Sequence, residues 1–149
     1  MSVSIWGPAI WNFLHTIVAK IKEDKYGEIS QSLFFFIKRI CGNLPCPECS
    51  LHASGFLGKV VFQRVSTKQD LMKLLCIFHN TVNIKKGKPI FAIDHIDAYG
   101  KNNLIHAYNR FIAAFNTKGN MKLLADSFQR KIIIQEFRAW FFKNLHNFE

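Results

Sequence analysis

Cysteine is scarce in this chain of 149 residues: Cys41, Cys46, Cys49 and Cys76 are all it has, too few for a secreted fold stapled by disulfides. No uninterrupted apolar stretch reaches the ~18 residues that a membrane-spanning helix requires, because lysine and arginine cut the richest candidates. No membrane span is therefore expected. The opening residues 1–8 hold no basic segment ahead of an apolar run, and Gly7-Pro8 interrupts them, so no secretory signal is expected and the chain reads as soluble. Acidic side chains are outnumbered, 10 Asp and Glu against 20 Lys and Arg, for a formal net charge of +10. That excess suits anionic partners in general. Zinc-finger spacing, an RNP aromatic signature and a long basic helix are all missing, so no nucleic-acid partner is expected. Internal repeats, low-complexity tracts and interdomain linkers are missing too.

What is present is helical periodicity. Pro8 suits the first position of a helix, and Ile10, Leu14, Ile17, Val18 and Ile21 then share one face. A second helix is expected from about Glu28 to Cys41, with Ile29, Leu33, Phe36, Ile37 and Ile40 inward and Gly42-Asn43 as its stop. Pro45 and Pro47 bracket Cys46, which sets Cys46 at an N-cap and Pro47 at the first position of a third helix ending between Gly55 and Gly58. Val60, Val61 and Phe62 suggest a brief extended piece. Ser66 or Thr67 then caps a fourth helix with Asp70 in its first turn, and Leu71, Leu74, Leu75, Phe78 and Val82 form its core side before Gly87 and Pro89 end it. A fifth apolar set comprises Leu104, Tyr108, Phe111, Ile112 and Phe115. After the polar break of residues 116–120, a last set follows: Leu124, Phe128, Ile132, Phe137, Trp140, Phe141 and Leu145.

Two segments carry chemistry. Cys46 and Cys49, at i and i+3 in the first turn of a helix, lie on one side at a separation that a disulfide can span. The helix dipole and the unpaired amides of that turn favour thiolate over thiol, which makes such a bond exchangeable. His52 three residues on keeps a second reading open, a zinc-binding interaction module built on Cys46, Cys49 and His52 with a fourth ligand from elsewhere. A basic scaffold without chemistry is a third. On the fourth helix, Cys76, His79, Asn80 and Asn83 are three or four residues apart and crowd the flank of the apolar stripe, where polar groups need partners.

Together these residues resemble the Erv/ALR family of FAD-dependent sulfhydryl oxidases. The family's Gly-x-x-x-Trp-x-x-x-His first helix is matched by Gly7, Trp11 and His15. Its Pro-preceded C-x-x-C is matched by Pro45, Cys46 and Cys49. Its H-N-x-V-N-x-x-x-G-K-P segment is matched by His79, Asn80, Val82, Asn83, Gly87, Lys88 and Pro89. The resemblance runs from Trp6 to about Asp97. It implies an all-α fold, a four-helix FAD-binding bundle with a short fifth helix over residues 1–97, and additional C-terminal helices over 98–149 packed on the bundle or at a dimer interface.

By the same resemblance Cys46 and Cys49 are catalytic, Cys49 beside the flavin and Cys46 toward substrate, with no metal. Gly7, Trp11, His15, His79, Asn80, Val82, Asn83 and Lys88 bind the FAD. The activity implied is disulfide formation in protein thiols, directly or through a thioredoxin-like carrier, with oxygen as acceptor and hydrogen peroxide as product, by a homodimer. A core opening on Trp-Gly-Pro without a shuttle cysteine pair is most like the short forms of large cytoplasmic DNA viruses, which implies a host-cytoplasmic protein with virion association. The structural disulfide around the family's G-K-P run lacks a partner here, since Ala92 stands where the second cysteine would. Cys76 is therefore expected to be a reduced, buried residue, and Cys41 a small core residue. The aromatic residue after that run is out of register, with Gly100 in its place and Tyr99 adjacent.

Overall fold

Burial of a regular apolar stripe decides each helix of this chain. The structure, a computed structural model, describes residues 3–116 and 124–149. The helices are α1 (Val3–Ala19), α2 (Tyr26–Cys41), α3 (Pro47–Leu57), α4 (Lys68–Lys85), α5 (Leu104–Phe115) and α6 (Leu124–Lys143), with a 3-10 segment at Ile93–Lys101 between α4 and α5. Among the described residues the only β feature is one isolated antiparallel bridge, Ile21 with Phe148. The all-α expectation holds, as a bundle of α1 to α4 with the 93–101 segment as the short fifth element and further helices beyond it.

Local chemistry accounts for the helix ends. Cys46 is the N-cap of α3 in extended conformation, its sulfur accepting from the Cys49 N–H, and Pro47 follows inside the first turn. Thr67 and Asp70 close a reciprocal capping box on α4. At the other end of α4 the chain turns through Gly87, at φ +69°, a conformation open to glycine without a Cβ penalty. The turn lets the Lys88 N–H donate to the Asn83 carbonyl at 2.8 Å, which brings Lys88 back alongside the helix.

Three expectations need correction. Helix α1 starts more than a turn before Pro8, which lies inside it, because Trp6 is only 4% exposed and is drawn into the core. The 60–62 stretch holds no strand; Phe62–Arg64 is a 3-10 turn and Phe62 stacks on Phe34. On α6 the buried line is Ile133, Phe137 and Phe141, spaced by four, whereas Phe128 is exposed and Ile132 half-buried. The side chain of Leu124 and residues 117–120 of the polar break lie outside the described residues.

The reason for the α6 shift lies in its neighbour. Helix α6 runs antiparallel along α2, with Trp140 Nε1 donating to Ser32 Oγ at 3.1 Å and Arg39 paired with Glu136. This alignment turns the Phe137 face inward. Helix α5 packs along α1, where Phe13 stacks on Phe111 at 4.7 Å and meets Phe137 and Phe141 edge-on. Residues before and after position 97 thus share one hydrophobic core. The last residues are stitched to the α1–α2 connection: Lys22 N–H donates to Asn147 O, and Glu149 N–H to Lys20 O.

Candidate active site

Cys46 and Cys49 are joined by a disulfide, with a Cα–Cα distance of 5.2 Å. The loop before it is braced by Ser50, whose hydroxyl accepts from the Leu44 N–H at 2.7 Å and donates to the Leu44 carbonyl. Nothing in the sequence spacing singled Ser50 out; a serine just inside a helix reads as an ordinary surface residue. The two cysteines differ in surroundings. Both line a cleft of about 490 Å³ with Ser4, Glu48, His52, Val82, Lys85, Lys86 and Lys88, but only Cys49 also borders the small cavity between α1 and α4, beside Trp11, Phe78 and Val82. Cys49 therefore faces inward.

The cleft continues past Val82, Lys86 and Lys88 into a second one of about 290 Å³, walled by Gly7, Pro8, Trp11, Asn12, His79, Asn83 and Tyr99. Aromatic rings make up much of its wall, and Lys86 and Lys88 supply its positive charge. Trp11 and His79 stack at 4.0 Å with an interplanar angle of 5°, and Tyr99 stacks on His15 at 4.7 Å. His15, 3% exposed, stands outside the cleft lining and shares a hydrogen bond of 3.0 Å with His79, Nε2 to Nδ1. Burial, then the neighbouring imidazole, pushes His15 down to about 3. Burial, then Lys88, pushes His79 down to about 4. Both rings are neutral at physiological pH, so one donates its single N–H to the lone pair of the other.

Of the residues expected from sequence, Gly7, Trp11, His79, Val82, Asn83 and Lys88 meet at this cleft, and His15 backs it. Asn80 has a different set of contacts. Its amide donates to the Phe91 carbonyl at 2.9 Å and accepts from the Phe91 N–H at 2.7 Å, clamping the segment after Pro89 onto α4. Asn12, Lys85, Lys86 and Tyr99 line the clefts as well. The lysines were legible as the Lys-Lys-Gly-Lys run at the end of α4. Tyr99 stands one position off the family's aromatic in the sequence, and the 3-10 segment at 93–101 carries it into the cleft wall. Asn102 anchors that segment, donating to Thr16 Oγ1 at 3.0 Å and Asn12 Oδ1 at 3.2 Å.

Cys41 and Cys76 are free and buried. Burial pushes the Cys41 thiol up to about 12, so it stays protonated and unreactive. Cys76 is likewise raised by burial. Among the described residues no group of three or more His, Cys, Asp or Glu is arranged to hold a metal ion. With both sulfurs of the pair bonded to each other, the zinc reading gains no support.

The donor set fits a planar heteroaromatic group carrying phosphates: stacking faces from Trp11, His79 and Tyr99, hydrogen-bonding groups from Asn12 and Asn83, and cations at Lys86 and Lys88. Fold and site thus define a helical protein with a redox-active dithiol beside a cofactor-type cleft. The sequence model of the Erv1 / Alr family matches residues 8–101, and the chain belongs to that family.

Relatives agree. A protein of Invertebrate iridescent virus 3 with the provisional name FAD-linked sulfhydryl oxidase 096R is 35% identical over 89 residues, covering 59% of this chain and 60% of its own. One of Invertebrate iridescent virus 6, provisionally named FAD-linked sulfhydryl oxidase 347L, is 32% identical, covering 58% of this chain and 83% of its own. FAD-linked sulfhydryl oxidase ERV1 of Arabidopsis thaliana is 31% identical, with 64% and 50% covered. The match therefore spans well under two-thirds of the first of these relatives and half of the plant one. No solved structure matches significantly. Among the described residues no helix is long and apolar enough to cross a membrane.

Proposed function

We propose that this chain is an FAD-linked thiol oxidase that forms disulfides in protein substrates and passes the electrons to oxygen. The observation that carries the reading is the Cys46–Cys49 disulfide set in the wall of a cleft that runs on into the Trp11–His79–Tyr99 cradle. Gly7, Trp11, His79, Val82, Asn83 and Lys88 hold the FAD, with His15 fixing the His79 ring and Asn80 fixing the segment at Phe91 against α4. When bound, FAD supplies a two-electron acceptor that delivers the pair to oxygen as hydrogen peroxide.

The chain's own residues do the thiol chemistry. A substrate thiolate attacks Cys46 Sγ, forming a mixed disulfide while the Cys46–Cys49 bond breaks and Cys49 leaves as thiolate. A second substrate thiolate then attacks the substrate sulfur of that mixed disulfide and releases Cys46 as thiolate. The substrate departs oxidised, and its electron pair stays on the Cys46/Cys49 dithiol. The α3 N-terminus stabilises both leaving thiolates through its dipole and free amides. Inward-facing Cys49 is the sulfur placed to hand the pair to the cradle.

In this reading residues 1–97 carry the dithiol and most of the cradle, and 98–149 form a helical extension on the same core that contributes Tyr99 to the cradle. The substrate is a protein thiol, presented directly or by a thioredoxin-like carrier. Exposed Phe128 and Phe142 on α6 offer surface for pairing as a homodimer, which sedimentation would reveal as a doubled mass. The resemblance to the short viral forms carries the further reading of a host-cytoplasmic protein with virion association, which fractionation of infected cells and analysis of purified particles would test. The purified chain is expected to be yellow and to consume oxygen with dithiothreitol. Cys49→Ser should keep the flavin absorbance and lose turnover; full turnover in that variant would remove Cys49 from its role.

A further inference from the structure

The cleft beside the disulfide is charged almost entirely with one sign. Lys85, Lys86 and Lys88 line it from the end of α4, all exposed, and the only carboxylate among its lining residues is Glu48, between the two cysteines. Burial and then Lys85 hold the His52 imidazole below the ordinary range, toward its neutral form, so the charge of the cleft is set by the lysines and Glu48. Glu48 acts on Lys86, raising it against the lowering effects of burial and of Lys88. Lys88 lines both clefts and is assigned in the proposed function to the phosphate side of the cofactor. Lys85 lines the cysteine cleft and not the aromatic one, so its ammonium is left facing whatever approaches Cys46.

We infer that the thiol-bearing substrate is an acidic polypeptide segment, with Asp or Glu side chains flanking its cysteine, recognised by Lys85 at the mouth of the Cys46 cleft with Lys86 beside it. The inference rests on the thiol-oxidase reading and adds the substrate's chemistry to it. The cations act on the flanking carboxylates and so draw the segment that carries the cysteine to the mouth of the cleft. An interaction of exposed charges acts mainly on encounter and affinity and weakens with salt. The chain's formal net charge of +10 works in the same direction over longer range.

The test uses the flavin-loaded enzyme and three synthetic peptides with the same cysteine pair flanked by Asp and Glu, by Ser, or by Lys, with dithiothreitol as an uncharged substrate. Oxygen uptake is followed at low and high salt. The acidic peptide should show a KM about three- to tenfold below that of the neutral one at low salt, as expected for a few exposed charge pairs, with kcat little changed and the preference collapsing at high salt. Lys85→Glu should abolish or reverse the preference while dithiothreitol turnover stays within about twofold. Equal KM values for the three peptides in the parent enzyme, or an acidic preference intact in Lys85→Glu, would overturn the inference and leave the oxidase reading standing. No oxygen uptake with dithiothreitol would overturn the oxidase reading, and this inference with it.

Discussion

Replacing His15 by Asn should make the protein less sensitive to acid. In the folded state burial holds His15 at about 3, against about 6.5 for an exposed imidazole. The unfolded chain therefore binds a proton at this site through the whole interval between those values, and the folded chain does not. Since the unfolded state takes up more protons, stability rises with pH: the contribution is fully present above about 6.5 and is lost as the pH falls toward the folded value. Between about pH 7.5 and about pH 5 one such histidine removes about 2 kcal/mol. His79 is also depressed, but it is half-buried, and solvent screening leaves it a smaller share. Denaturant unfolding at the two pH values, with FAD held at one saturating concentration so that ligand linkage is common to all samples, gives the comparison. His15→Asn will cost stability at neutral pH through the lost contacts with Tyr99 and His79, so the informative quantity is how the difference between parent and variant changes. It should narrow by about 2 kcal/mol at the lower pH. A difference that stays constant would mean that His15 does not titrate in this window and that its burial has been misjudged.

Two further outcomes follow from the packing. His79→Ala removes the ring stacked on Trp11 and the partner of His15; it should lower the flavin-to-protein absorbance ratio, and undiminished flavin content would take His79 out of the cradle. Phe137→Ala empties a site, 1% exposed, where rings from α1, α2 and α5 converge. It should cost about 3–5 kcal/mol and release flavin in the same thermal transition. Flavin release well separated from loss of helicity would show that α6 and the redox unit do not share one core.

Much of this arrangement could be read before any coordinates, for identifiable reasons. The α3 N-terminus was legible because proline and a capping side chain act locally: Pro47 and Cys46 need no tertiary context to start a helix. The same holds for Thr67 and Asp70. The α6 face was misread because its stripe is set by where α2 runs, and seven apolar residues on one helix permit more than one rotation. Pro8 misled for a similar reason, local preference yielding to burial of Trp6. At the site, His79 and Asn83 were legible from their spacing on α4, and Lys88 from the match of Gly87, Lys88 and Pro89 to the family's motif. The contacts of Asn80 with Phe91 were not, because they depend on a turn at Gly87 that folds the following strand of chain back. Lys85 and Lys86 were visible only as part of a charge run, and a charge run ordinarily marks a solvated surface.

The hydrogen bonds that tie residues 147–149 to Lys20 and Lys22 bear on how the molecule is made. A ribosome releases the α1–α2 corner long before the residues that satisfy it, with α2 to α6 emerging in between. Until then the edge of Ile21 offers open amides and carbonyls to any passing extended chain, and the final closure is a long-range step of the slow kind. Nascent chains halted before α6 should on this account cling to chaperones, and release should coincide with emergence of residues 147–149.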